Sequence, residues 1–127
     1  MSTSPIFVGT PKAWQNQISA ANTARDGSGT LVTIAAGGPN GSRISSVKAV
    51  AAATVTAGVV RLFLNDGTNK RLLKEILVPA TTPSTSVETW SADYTFVDGL
   101  VLANGWSLMA ATNNAETFNV FALGGDF

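Results

Sequence analysis

The chain has 127 residues, enough for one domain that buries about two thirds of the surface its unfolded form exposes. It holds neither cysteine nor histidine, which excludes disulfides and thiolate zinc sites and removes the commonest general base and zinc ligand. Charged residues make up 13%, against about a quarter in an average domain, and the net charge is zero, a balance that favours association between copies.

Charge is unevenly placed along the chain. Residues 1–74 carry every lysine and arginine and only the acids Asp26 and Asp66, while residues 75–127 carry the other acids. Such a split suits contacts between copies, unless the two halves interleave in the fold and cancel. The bases are scattered, which argues against a nucleic-acid surface. No segment approaches the roughly 20 apolar residues of a membrane span.

The opening stretch MSTSPIFVGTPK lacks the basic start and long apolar run of a signal peptide. Pro5 and Pro11 disfavour helix at the residues before them. Residues 1–12 therefore read as an extended arm, with Ile6, Phe7 and Val8 available for burial on the domain or on a neighbour. Residues 13–127 read as a single β domain.

AWQNQISA alternates, with Trp14, Ile18 and Ala20 on one side. NTARDGSG is turn chemistry, because Asp26-Gly27 and Gly29 supply residues that tolerate positive φ. TLVTIAA is a strand rich in β-branched residues. GGPNGS breaks the chain before the longer strand RISSVKAVAAAT. The inward register of that strand slips between Ile44 and Val47, which predicts a β-bulge. Thr56-Ala57-Gly58 is a turn.

VVRLFL alternates Val60, Leu62 and Leu64 against Val59, Arg61 and Phe63. It runs into Asn65-Asp66-Gly67, a strong hairpin signal. KRLLKEILV would make only about two turns of helix before Pro79, too short to stand alone in water. A second hairpin strand is the better reading. Its polar tip, Asn65, Asp66, Gly67, Thr68 and Asn69, is expected to be exposed, with Gly67 at positive φ.

PATTPSTS is a loop. VETWSADYTFV places Trp90, Ala92, Tyr94 and Phe96 on one face. DGLVLANG reads as a connection, WSLMAAT as a strand and TNNAE as a turn. TFNVFAL sets Phe118, Val120 and Ala122 against Phe121 and Leu123, and GGDF follows it. Eight such segments at sandwich spacing predict an all-β, antiparallel β-sandwich, closed as an eight-stranded jelly roll.

Chemistry is sparse. The acids sit mostly in Asp-Gly turns, which explains them without catalysis. DGSGT and NDGTN offer oxygens for calcium, but each is too short to fill a site of six to eight ligands. GGPNGS lacks the ending of a phosphate loop. Trp14, Trp90 and Trp106 could stack on sugars, but all three sit in alternating strands where core packing accounts for them. The residues indicate no catalytic site, no cofactor and no metal.

QISAANTARDGSGTLVTI, AGVVRLFLNDGTNKRLLKEI and GWSLMAATNNAETFNVFALGGDF together resemble a group of small proteins of tailed bacteriophages and prophages. The resemblance spans about residues 5–127. It is most specific in the RLFLNDGTN hairpin and the NVFALGGDF ending. It implies a virion component rather than an enzyme, similar to the jelly-roll decoration (cement) proteins that sit as homotrimers on phage heads. The partners it implies are the major capsid protein and further copies of the chain. The place it implies is the phage head, after synthesis in the host cytoplasm. The contact residues expected on that reading are Pro5, Ile6, Phe7, Val8 and Pro11. Alternatives are a neck, tail or baseplate component, or a fibre module that binds host glycan.

Overall fold

The computed structural model describes residues 9–127. Its strands are β1 (Thr10–Ile18), β2 (Val32–Ala36), β3 (Ser42–Ala51), β4 (Gly58–Asn65), β5 (Lys70–Val78), β6 (Ser91–Leu102), β7 (Ser107–Thr112) and β8 (Phe118–Asp126). No helix occurs among the described residues. Two four-stranded antiparallel sheets form, in the orders β1-β8-β3-β6 and β2-β7-β4-β5. Each sheet mixes strands from both halves of the chain, so much of the charge split cancels in space.

The alternating apolar positions meet between the sheets. Val47, Ala49, Val120 and Ala122 come from the first sheet, and Val60, Leu62, Ile76 and Leu108 from the second, into one buried cluster. Burying each of the larger side chains contributes roughly 1.5–3 kcal/mol. Trp90 meets Phe118 edge to face, with ring centroids 5.6 Å apart. The expected slip in β3 is present. Both its ladders shift register between Ile44 and Ser46.

The two inner strands of the second sheet, β4 and β7, are buried on both faces. Phe63, Met109 and Ala111 point away from the main core and form a second cluster with Leu31 and Leu72. The chain between β1 and β2 covers them. It is fastened where the Asn22 amide donates to the Thr112 carbonyl, at 2.8 Å. The Asn22 side chain folds this segment on itself by donating to the carbonyls of Ser28 and Thr30, each at 2.9 Å.

β4 and β5 form the expected hairpin, so KRLLKEILV is a strand. Several strand boundaries differ from the sequence reading, three of them by an extension of three or more residues. β1 begins at Thr10, so Pro11 and Lys12 belong to a strand rather than to an arm. Pro11 is tolerated because β1 is an edge strand with one unpaired side. Residues 98–102, read as a connection, extend β6 past a break in its ladder with β3. β8 runs on through Gly124 and Gly125. At Gly124 any Cβ would collide with the Arg43 carbonyl, so only glycine lets the strands stay paired there. Pro5, Ile6, Phe7 and Val8 lie outside the described residues.

Candidate functional site

The hairpin tip is built by side chains that replace missing ladder bonds. The Asn65 carboxamide oxygen accepts the Gly67 amide at 2.9 Å. Asp66 Oδ1 accepts the amides of Thr68 and Asn69 at 2.9 and 2.6 Å. These bonds, that from Asn69 foremost, hold the Asp66 carboxyl below its ordinary range. Gly67 has φ of 94°, as the tip sequence requires.

The tip has a neighbour that the sequence did not reveal. Residues 26–28 lie against residues 68–71 and form a shallow, open, polar depression. Gly27, at φ of 90°, packs so closely on the Lys70 backbone that a Cβ would collide with the Lys70 carbonyl. Asp26 Oδ1 accepts both the hydroxyl and the amide of Ser28, at 2.6 and 3.0 Å. The same bonds lower its pKa, the hydroxyl contributing most. Both aspartates are thus engaged in shaping their own turns. Among the described residues, no group of three or more acidic, histidine or cysteine side chains is placed to hold a metal ion.

The start of β1 reaches the same end of the molecule. Thr10 pairs with Asp126, Asp126 with Ser42, and Ser42 with Leu102. Beyond Leu102 the turn through Gly105 meets the hairpin tip, with the Gly105 carbonyl beside Gly67. Asp126 organises the β1 side. It accepts from the buried Ser42 hydroxyl at 2.6 Å and pairs with Lys12 Nζ at 3.4 Å. The Ser42 bond is the main reason its carboxyl titrates low. Lys12 also lies 5.4 Å from the centre of the Trp14 ring. So the five tip residues and Pro11 share one end, where the described chain also begins at Gly9, its amide bonded to the Asp126 carbonyl at 2.9 Å. Ser42 and Asp126 had no distinguishing signal in the sequence.

The three tryptophans face inward. Trp90 is in the core, and Trp14 and Trp106 pack partly buried against it.

No protein family and no curated protein matches the chain. Among solved structures it is similar to a pentameric capsid protein isolated from metagenomic phage sequences. That match has 17% identity and a TM-score of 0.44, and covers 90% of this chain and 61% of the other. A second structure of a pentameric capsid protein from metagenomic phage sequences, solved by iodide phasing, gives 16% identity and a TM-score of 0.43, covering 90% and 67%. The chain thus spans about three fifths of the length of the first.

Proposed function

We propose that this is a bacteriophage virion structural protein that coats the assembled head and stabilises it. The observation that carries the reading is the shared end described above. It gathers the hairpin tip, exposed at Gly67, Thr68 and Asn69, the turn at residues 26–28 and the start of the described chain at Gly9, which follows Ile6, Phe7 and Val8 in sequence. A protein that grips a lattice needs such an end and needs no reacting centre. The strand orders 1-8-3-6 and 2-7-4-5 are read as a jelly roll, an architecture of viral capsid domains, lectins and cupins. Fold does not assign function. The resemblance to small phage proteins selects the virion branch, and inward-facing tryptophans disfavour the lectin branch.

The mechanism is mass action: a protein that binds the assembled shell and not its dissociated parts shifts the balance toward the shell. The partner is the major capsid protein, and the copy number is three, by analogy with decoration proteins. Residues 5–8 serve as one anchor. The test is to locate labelled protein on particles and to compare the heat resistance of particles with and without it. Label on the head and a loss of heat resistance without the protein are expected. Label confined to the neck, tail or baseplate overturns the head reading. Removing residues 1–8 should weaken binding to the shell; unchanged binding removes the anchor.

A further inference from the structure

The two sheets end on one side in β5 and β6, and these edges differ in sign. β5 exposes Lys70, Arg71 and Lys74, whereas β6 exposes Asp93 and Asp98. Among the described residues, neither the three bases nor Asp98 takes part in an ion pair, and Asp93 has only an exposed partner, Lys48, at 3.3 Å. Here part of the charge split of the sequence is left uncancelled, at Lys70, Arg71, Lys74 and Asp98. Each edge also leaves apolar side chains in water, with Leu77 74% exposed on β5 and Val97 86% exposed on β6.

The charges are matched in height along the strands as well as in sign. Lys74 Nζ sits 5.0 Å from the centre of the Tyr94 ring, which levels the middle of β5 with the middle of β6. Ala51 bonds to Trp90 just before β6, and Val55 pairs with Thr81 just after β5. The end of β5 and the start of β6 therefore lie together, and the two edges run in opposite directions. Lys70 and Arg71 thus lie toward the same end as Asp98, and Lys74 lies near the level of Asp93.

We propose that copies of this chain associate around an axis parallel to the strands, the basic β5 edge of each against the acidic β6 edge of the next. Rotation about such an axis preserves height, so bases meet acids at their own levels, and Leu77 and Val97 leave water. The contact is head to tail, so it closes a ring when the rotation from one copy to the next divides a full turn, one third of a turn for the three copies proposed above. It is made by side chains. The ladders shift at Leu62/Phe63 against β5 and skip residues 96–99 of β6, and such irregularities interrupt backbone pairing along both edges. The inference does not rest on the virion reading; a protein working elsewhere would form the same contact.

Sedimentation velocity across a concentration series tests it with purified chain. Lys70→Glu, Arg71→Glu and Lys74→Glu together should weaken self-association roughly tenfold or more, as like charges then face each other. Asp93→Lys with Asp98→Lys should do the same. All five together restore complementarity, and should restore association. Circular dichroism and melting confirm that each variant is folded. Leu77→Asn provides a milder check, lowering affinity while leaving its salt dependence unchanged. A wild-type chain that stays monomeric throughout overturns the proposal. So does association unaffected by either charge reversal, or reversals that each weaken it without recovery in the full swap.

Discussion

Arg61 and Glu75 face each other across the β4–β5 ladder, with Nε donating to Oε2 at 2.8 Å, while Arg61 itself is only 3% exposed. The same carboxylate oxygen accepts Arg25 Nε at 2.7 Å from the segment between β1 and β2. The other guanidinium nitrogens of Arg61 donate to the Asn22 carbonyl at 3.0 Å and to Asn113 Oδ1 at 3.1 Å. Glu75 therefore fastens the covering segment to the sheet and also neutralises a buried cation. The two partners are not equivalent. Removing Glu75 strands a guanidinium out of water, whereas removing Arg61 leaves Glu75 with Arg25 and solvent. Glu75→Met is expected to lower the urea midpoint more than Arg61→Met, the latter costing about 1–3 kcal/mol for its lost hydrogen bonds. The reverse order would show that the pair does not work this way.

Acid should loosen the molecule. Glu75 titrates low, chiefly through the Arg25 hydrogen bond, Asp126 through Ser42, Asp66 through the Asn69 amide and Asp26 through the Ser28 hydroxyl. A carboxyl with a lower pKa folded than unfolded adds stability that is complete above its unfolded value. That stability fades as pH falls through the folded value. Urea midpoints should hold steady from neutral pH down to the ordinary carboxylate range and then drop. With no histidine in the chain, no side chain of ordinary pKa titrates near pH 6.5. A midpoint that rises as pH falls below 4 would contradict the assignment.

Much of this architecture was legible where one strand's own pattern decides it. The β3 bulge appeared as a phase slip between Ile44 and Val47, and the hairpin as Asn65-Asp66-Gly67 between alternating runs. Arg61 was legible only as an outward residue of β4. Its burial depends on Asn22 and Arg25, which arrive from a segment far away in sequence. The mixed faces of VVRLFL, with Phe63 apolar where a solvent face would be polar, were the available sign of a strand covered on both sides. β6 was shortened because Asp98-Gly99 reads as a turn; the structure spends it on a break within a continuing strand. At the candidate site the tip was readable, but its contact with residues 26–28 was not, since turn chemistry carries no information about what the turn touches.

Gly27 and Gly67 separate two costs that glycine avoids. Both hold positive φ, 90° and 94°. A Cβ at Gly67 meets only the Gly105 carbonyl, at 3.6 Å, an ordinary contact. At Gly27 it collides with the Lys70 backbone. Gly67→Ala should cost about 1–2 kcal/mol from the backbone conformation alone. Gly27→Ala should cost clearly more, and should also shift backbone NMR signals of residues 68–71. Equal effects of the two substitutions would mean that the turns do not pack as described.

Phe63 tests whether the covering segment is part of the fold or an addition to it. The side chain is fully buried, yet it points away from the main core, into the cluster of Met109, Ala111, Leu31 and Leu72. If the segment between β1 and β2 were loosely held, water would reach this cluster and truncation would cost little. Held by Asn22, Arg25 and Gly27, it closes the cluster as a second core. Phe63→Ala is then expected to cost about 3–5 kcal/mol, the scale for an aromatic removed from a packed interior. Hydrogen exchange adds a spatial readout. The Asn22 amide, bonded to the Thr112 carbonyl, should lose protection in Phe63→Ala more than the amide of Val55, a main-core residue bonded to Thr81. A cost below about 1 kcal/mol, with Asn22 still protected, would mean that the second sheet does not need its cover.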